Sequence, residues 1–88
     1  MIRRRVIVRG SVQGVWYRHS CKREATTAGV AGWIQNNDDG SVEAVLEGEA
    51  AAVDRVVSWM RMGPEGAIVS EVEITDEPPQ GEPSFRVR

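Results

Sequence analysis

The sequence has one cysteine, one histidine and no long hydrophobic run. Cys21 has no partner for an internal disulfide, which favours a reducing compartment, and we expect a cytoplasmic protein. No stretch approaches the ~20 apolar residues that cross a bilayer, and the amino-terminal sequence MIRRRVIVRG lacks the apolar core of a signal peptide. Because His and Cys are so few, we expect neither a metal site nor a cofactor.

An excess of positive charge is also missing. The formal net charge is −2, whereas nucleic-acid-binding domains usually carry a basic face. Only 6% of the residues are aromatic, too few for the stacking surface of an RNA-binding sheet. We therefore expect no nucleic-acid partner and interpret the arginines of the first segment as solvated charges on an edge strand. They are Arg3, Arg4, Arg5 and Arg9.

What the chain does contain is the composition of one small globular domain. Apolar residues make up 41% of it and charged residues 27%, so it is neither a disordered tail nor a membrane span. Its 88 residues leave no room for a second core. We expect residues 1–88 to form a single domain, and a monomer.

The hydrophobic periodicity predicts five strands and two helices. The predicted strands are Met1–Arg9, Val30–Asn36, Ser41–Glu47, Ile68–Ile74 and Phe85–Val87. The predicted helices are Val15–Ala28 and Glu49–Met62. The apolar stripe of the first helix consists of Tyr17, Cys21, Ala25 and Ala28, and that of the second of Ala52, Val53, Val56, Val57 and Met60. The order βαββαβ plus a terminal strand predicts an α+β, ferredoxin-like split βαβ sandwich, with two helices on one face of an antiparallel sheet.

Glycine, proline and charge mark the element ends. Gly29 suits the left-handed residue that follows a helix, and Asp39-Gly40 suits a turn between paired strands. Gly63-Pro64 ends the second helix, in which Glu49 in the first turn and Arg61 in the last would suit the helix dipole. Three prolines and a glycine between residues 77 and 83 indicate a surface loop.

The stretch GSVQGVWYR, Gly10 to Arg18, connects the first strand to the first helix. Its glycines allow successive N–H groups to converge, and a helix start adds free N–H groups and partial positive charge, so such a loop binds phosphate. The planar guanidinium of Arg18 could hold two phosphate oxygens. A tight turn beside a surface arginine fits the same residues equally well. The loop lacks the Gly-Lys-Ser/Thr ending of a Walker loop.

A second stretch, GWIQNNDDGSVE, places Asn36 at the end of a strand. The central strands of a split βαβ fold could bring that amide near the first helix, where it could hold a water molecule. A plain turn residue fits the same position.

Other candidates favour structural roles. His19, alone beside an arginine, is typical of a solvated side chain, and Cys21 falls on the apolar stripe of its helix. Asp38 and Asp39 are turn residues. The tryptophans Trp33 and Trp59 are interpreted as core residues rather than as a stacking platform.

Together, these stretches resemble the acylphosphatase family. The first matches its signature Gly-x-Val-Gln-Gly-Val-x-Phe/Tyr-Arg, and the second matches Gly-Trp-Val-x-Asn followed by Asp-Gly-Ser-Val-Glu. Further matches, among them Gly63-Pro64 and the final Phe85-x-Val87, extend the resemblance from about Arg5 to Arg88. The sequence differs from many relatives at Ala28 and Gln35, and neither residue takes part in the chemistry that the resemblance implies.

The resemblance implies hydrolysis of acyl phosphates to a carboxylate and inorganic phosphate. It implies that the phosphate lies on backbone N–H groups of the loop and on Arg18, that Asn36 positions the attacking water, and that Ser41 braces this asparagine. The loop residues are Ser11, Val12, Gln13, Gly14 and Val15. Inorganic phosphate is then both product and competitive inhibitor. The physiological acyl phosphate stays open.

The alternative function is a non-catalytic phosphate-binding module of the same fold, which would retain the loop and Arg18 but could dispense with Asn36. The presence of Asn36 favours the hydrolase. So does an 88-residue chain without an attached enzyme domain.

Overall fold

The computed structural model describes all 88 residues, Met1–Arg88. Its five strands are β1 (Ile2–Ser11), β2 (Ala31–Asn36), β3 (Val42–Gly48), β4 (Ile68–Glu77) and β5 (Phe85–Val87). Its two helices are α1 (Tyr17–Ala28) and α2 (Ala50–Met60). The predicted elements and their order are therefore confirmed. Neither helix is long and apolar enough to cross a membrane.

The strands form one sheet in the order β4-β1-β3-β2-β5. The first four strands pair antiparallel, as predicted for the ferredoxin-like fold. The terminal strand β5 adds to β2 in parallel, with Gly32 opposite Phe85, so the complete sheet is mixed. Gly29 ends α1 in the left-handed conformation (φ 75°), also as predicted.

The main core lies between the sheet and the two helices. Both predicted helix stripes face it: Cys21 and Ala25 of α1 are fully buried, as are Val53 and Met60 of α2. The structure corrects the predicted ends of α2, because Glu49 precedes its first turn and Arg61 follows its last. Neither charge therefore lies within the helix.

The arginines of β1 are not solvated charges on an edge strand, and this prediction was wrong. β1 lies inside the sheet, between β4 and β3. Arg3 is 3% exposed and forms ion pairs with Glu47, Glu77 and Glu82. Sequence periodicity gives a strand but not its position in the sheet, and the carboxylates come from three distant segments. We call Arg3, Glu47, Glu77 and Glu82 the carboxylate cluster.

A register shift between Arg9 and Gly10 marks the end of β1 that leads to the helix. There β4 approaches so closely that a Cβ on Gly10 would lie 2.1 Å from the carbonyl oxygen of Ile68. Gly10 is therefore required by the sheet, and Ser11 also pairs with Ile68 as the last residue of β1. The connecting loop begins after Ser11.

Candidate active site

The carboxyl ends of β1 and β2 meet at one edge of the sheet. Both strands run antiparallel to β3, so they point in the same direction; Asn36 lies opposite Val42, which lies opposite Val8. A cavity of about 300 Å³ opens at this edge. It is lined by Val12, Gly14, Trp16, Tyr17, Arg18, His19 and Asn36. The fold thus brings the two sequence stretches to one cavity.

The backbone of the loop and of the first turn of α1 has free donors. No N–H group from Val12 to His19 donates a hydrogen bond, and the first helical bond runs from the N–H of Ser20 to the carbonyl of Trp16 (3.0 Å). Trp16 occupies the N-cap position, gives no side-chain cap, and no acidic residue follows in the first turn. These N–H groups and the helix dipole favour an anion at this place.

Two residues of the segment adopt the left-handed conformation, Gly14 (φ 77°) and Trp16 (φ 62°). Left-handed residues among right-handed ones turn successive N–H groups toward one concave side. A Cβ on Gly14 would meet no atom within 4 Å. The backbone conformation, rather than lack of space, therefore favours glycine there.

Arg18 lies in the first turn of α1, as predicted, and its side chain is half-buried. Its Nη1 donates to the main-chain oxygen of Arg88, the last residue of the sequence, at 2.5 Å. No Asp or Glu side chain lines the cavity or pairs with Arg18, so this main-chain oxygen is the acceptor that orients the guanidinium. The guanidinium keeps further N–H donors for an anion.

The side chain of Asn36 is exposed at the cavity and is not braced by Ser41, contrary to the expectation for that serine. Ser41 is buried and its Oγ accepts a hydrogen bond from Nδ2 of Asn37 (3.0 Å). The physical reason is the turn itself: the N–H of Asn37 bonds to the carbonyl of Ser41 (2.8 Å), which places these two side chains together. Ser41 therefore holds the turn that follows Asn36.

The same turn fixes Asp39. The Ser41 hydroxyl and N–H donate to its Oδ1 at 2.6 and 2.9 Å, and Arg9 pairs with its other oxygen. The Ser41 hydroxyl, then the Ser41 N–H and Arg9, lower the pKa of Asp39 to about 2. Asp39 is a turn residue, as predicted.

Gln13 joins the loop to this turn. Its Nε2 donates to the backbone carbonyls of Asn37 (2.8 Å) and Ser41 (2.9 Å). The side chain of Gln13 thus points away from the cavity and fixes the distance between the loop and the end of β2. Val15 is half-buried against the core, so it contributes its backbone rather than its side chain.

Tyr17 and Cys21 have structural roles. The Tyr17 hydroxyl donates to the carbonyl of Met60 (2.6 Å) and its ring packs on Trp59 at 5.4 Å, which fixes the start of α1 against the end of α2. Burial raises the pKa of Tyr17 and raises that of Cys21 to about 12. Cys21 is therefore not a thiolate nucleophile near neutral pH. No group of three or more His, Cys, Asp or Glu side chains is arranged to hold a metal ion.

The tryptophans occupy different environments. Trp59 is partly buried against the core, but Trp33 is buried outside it, with the guanidinium groups of Arg88 and Arg5 over its ring at 4.3 and 5.5 Å. Trp16 and His19 also line the cavity, although neither was predicted as a site residue. Their spacing of three residues at a helix start was the available signal, because it puts two side chains on one face.

Comparison with known proteins agrees with this geometry. The acylphosphatase family model matches residues 4–87. The chain is 57% identical over 67 residues to the acylphosphatase of Paraburkholderia xenovorans (76% of this chain, 69% of that protein). It is 45% identical over 87 residues to that of Synechococcus sp. strain JA-2-3B'a(2-13) (99% and 93%). The crystal structure of the Bacillus subtilis acylphosphatase superimposes with a TM-score of 0.97 at 34% identity, covering 100% of this chain and 99% of that one.

Proposed function

The chain belongs to the acylphosphatase family and hydrolyses acyl phosphates, and we propose that it does so with a backbone cradle, Arg18 and Asn36. The cradle, residues 11–15, consists of Ser11 at the end of β1 and the loop that follows it, and it holds the phosphate together with the N–H groups that start α1. Arg18 binds the phosphate oxygens, and Asn36 positions the attacking water.

The observation that carries this proposal is the row of N–H groups from Val12 to His19 that have no acceptor within the protein. Those of Tyr17, Arg18 and His19 begin α1, and Val12, Gly14 and Trp16 line the same cavity as Arg18. No Asp or Glu side chain lines that cavity, so no side-chain carboxylate competes with an anion for these donors. A phosphate group supplies the acceptors that such donors require.

The chemistry needs no acid side chain. Water oxygen forms a bond to phosphorus, the bond from phosphorus to the bridging oxygen breaks, and its electron pair leaves on the carboxylate. A carboxylate is a stable leaving group, so it departs without protonation. Charge on the phosphoryl oxygens is stabilised by the fixed donors of the cradle and Arg18. Asn36 is not basic, so the water proton passes to a phosphoryl oxygen of the substrate.

The test is phosphate release from acetyl phosphate by the purified protein, run in EDTA and compared with the spontaneous rate. The proposal expects rapid release, with inorganic phosphate as a competitive inhibitor. A protein that binds inorganic phosphate but releases none from the substrate would instead be the non-catalytic binding module.

The proposal also covers the domain organisation, the oligomeric state and the cellular location of the enzyme. We take residues 1–88 to be one domain that acts as a monomer; within this one chain, the loop after β1, the start of α1 and the end of β2 together line the cavity. The buried, unpaired Cys21 supports a reducing, cytoplasmic location.

A further inference from the structure

The side chain of Trp16 has no role in the mechanism above, yet the backbone conformation of this residue is unfavourable. It is the one non-glycine residue with a positive φ (62°), a conformation that bulky side chains rarely adopt. It is also 75% exposed, whereas the next residue, Tyr17, is 1% exposed. Unfavourable backbone conformations persist mainly where surrounding structure enforces them, and they concentrate at functional sites.

The ring of Trp16 belongs to a pair at the cavity. Its centroid lies 5.8 Å from that of His19, with the planes inclined at 51°. Both side chains line the same cavity as Gly14, Arg18 and Asn36. The pair thus presents an aromatic surface beside the phosphate position.

The other residues that line the cavity already have partners or roles, so the aromatic surface is available to the acyl group. Gly14 and Arg18 serve the phosphate, Asn36 serves the water, and the hydroxyl of Tyr17 is already bonded to the carbonyl of Met60. In an in-line displacement the leaving group lies opposite the attacking water, so the acyl group needs a region of its own. The side chain of Val12 is fully buried, so Trp16 and His19 are the remaining side chains that can contact it.

We propose that Trp16, supported by His19, contacts the acyl group and makes the enzyme favour aromatic acyl phosphates over small aliphatic ones; this rests on the proposed function. A flat aromatic acyl group can stack on the indole face, whereas an acetyl group offers little surface to it. Aromatic pairs add a modest stabilisation beyond area burial, which corresponds to about a 3- to 10-fold preference.

The experiment compares kcat/KM for benzoyl phosphate and acetyl phosphate in the parent and in two variants. Trp16→Gly removes the ring and accepts the left-handed backbone, and Trp16→Phe retains an aromatic ring. Met62→Ala is the matched control, because Met62 is as exposed (77%) but lies outside the lining.

Trp16→Gly should lower the benzoyl-to-acetyl ratio about 3- to 10-fold. Trp16→Phe and Met62→Ala should keep that ratio within about twofold, and Met62→Ala should also keep the inhibition constant of inorganic phosphate. As a second measurement, benzylphosphonate should lose affinity in Trp16→Gly while methylphosphonate does not.

An unchanged ratio in Trp16→Gly would overturn the inference, and so would an equal loss for both substrates, which would make Trp16 a residue that shapes the cradle. If the parent hydrolyses neither substrate, the proposed function itself fails. The two failures are therefore distinguishable.

Discussion

Arg3 in β1 and Arg18 in α1 both form hydrogen bonds within the protein, but the acceptors of these hydrogen bonds differ. Arg3 is almost fully buried and is surrounded by three carboxylates, from Glu47, Glu77 and Glu82. Burial by itself lowers the pKa of Arg3, and hydrogen bonds to Glu82, Glu77 and Glu47 more than offset this effect. Arg18 has one partner, the main-chain oxygen of the last residue, Arg88, and it contacts no Asp or Glu side chain.

The difference separates a structural charge from one available to a ligand. The carboxylate cluster fastens the loop before β5, because Glu47 also accepts hydrogen bonds from the N–H groups of Gln80, Gly81 and Glu82. The Arg3 guanidinium is paired with three carboxylates, so it is not available to an anionic ligand. Around Arg18 no Asp or Glu side chain lines the cavity, so its guanidinium keeps donors that an anionic substrate can use.

Substitution of Arg18 should have the largest effect. Arg18→Lys keeps the charge but loses the planar fork, so we expect kcat/KM to fall on the order of 10³-fold while the melting temperature changes little. Arg23→Lys, on the exposed side of the same helix, is the matched control and should keep full activity. Parental activity in Arg18→Lys would contradict the requirement for the fork.

Substitution of Arg3 should reduce the stability of the fold and leave the activity per folded molecule nearly unchanged. Arg3→Met leaves the buried Glu47 carboxylate without its cation, so we expect the free energy of unfolding to fall by about 3–5 kcal/mol. Arg4→Met removes more exposed ion pairs with Asp54 and Asp76 and should reduce the free energy of unfolding much less than Arg3→Met does.

Denaturant unfolding measures both losses. The activity per folded molecule should remain near the parental value in both variants, because β5 and Arg88 are also held by pairing with β2. Equal stability losses for the two arginines would remove the distinction between buried and exposed pairs.

Substitutions of Asn36 separate water positioning from phosphate binding. Asn36→Ala should lower kcat on the order of 10²- to 10³-fold and leave the inhibition constant of inorganic phosphate nearly unchanged. Asn36→Asp places a negative charge beside the phosphate, so it should weaken phosphate binding as well.

The neighbouring amide is the control. Asn37 bonds to Ser41 and Glu43 within the turn, so Asn37→Ala should reduce stability more than kcat. If Asn36→Ala abolishes phosphate binding, Asn36 binds phosphate; if it retains full kcat, Asn36 is a turn residue only.

The pH dependence of stability should reflect the carboxylate cluster. The N–H of Gln80, together with Arg3 and the N–H groups of Gly81 and Glu82, lowers the pKa of Glu47 from 4.5 to about 2. A carboxyl with a lowered folded-state pKa stabilises the fold above its unfolded pKa and loses that contribution as the pH falls. The melting temperature should therefore decline from about pH 4.5 toward pH 2, and Glu47→Gln should flatten this decline. An unaltered decline would assign it to other groups.

Substitution of Gly14 should have the smallest effect. Gly14→Ala imposes strain at φ 77° but no clash, so phosphate affinity should fall by about 1 kcal/mol, roughly fivefold. Gly14→Asn, which tolerates the left-handed conformation better, should lose less. Equal phosphate affinity in all three proteins would show that the cradle does not depend on this glycine.

The sequence predicts those features that depend on local pattern. The stripes of α1 and α2 follow from helical spacing, and the loop before Arg18 follows from its glycines and the helix start. The environment of Arg3 could not be predicted, because it depends on strand order and on a loop that returns to the sheet. The contact of Ser41 with Asn37 was missed because it depends on how the turn closes. The left-handed conformation of Trp16 has no signal in residue type, since tryptophan normally avoids it.

The most direct test is an NMR titration of the isotope-labelled protein with inorganic phosphate, following every backbone amide and the Arg18 guanidinium. The account predicts the largest shifts at the N–H groups from Val12 to His19, saturating with one dissociation constant that agrees with the kinetic inhibition constant. The open cavity beside Lys22 and Pro83 serves as the internal comparison and should shift little. Saturable shifts confined to that second cavity, or none in the loop and first helical turn, would contradict the cradle.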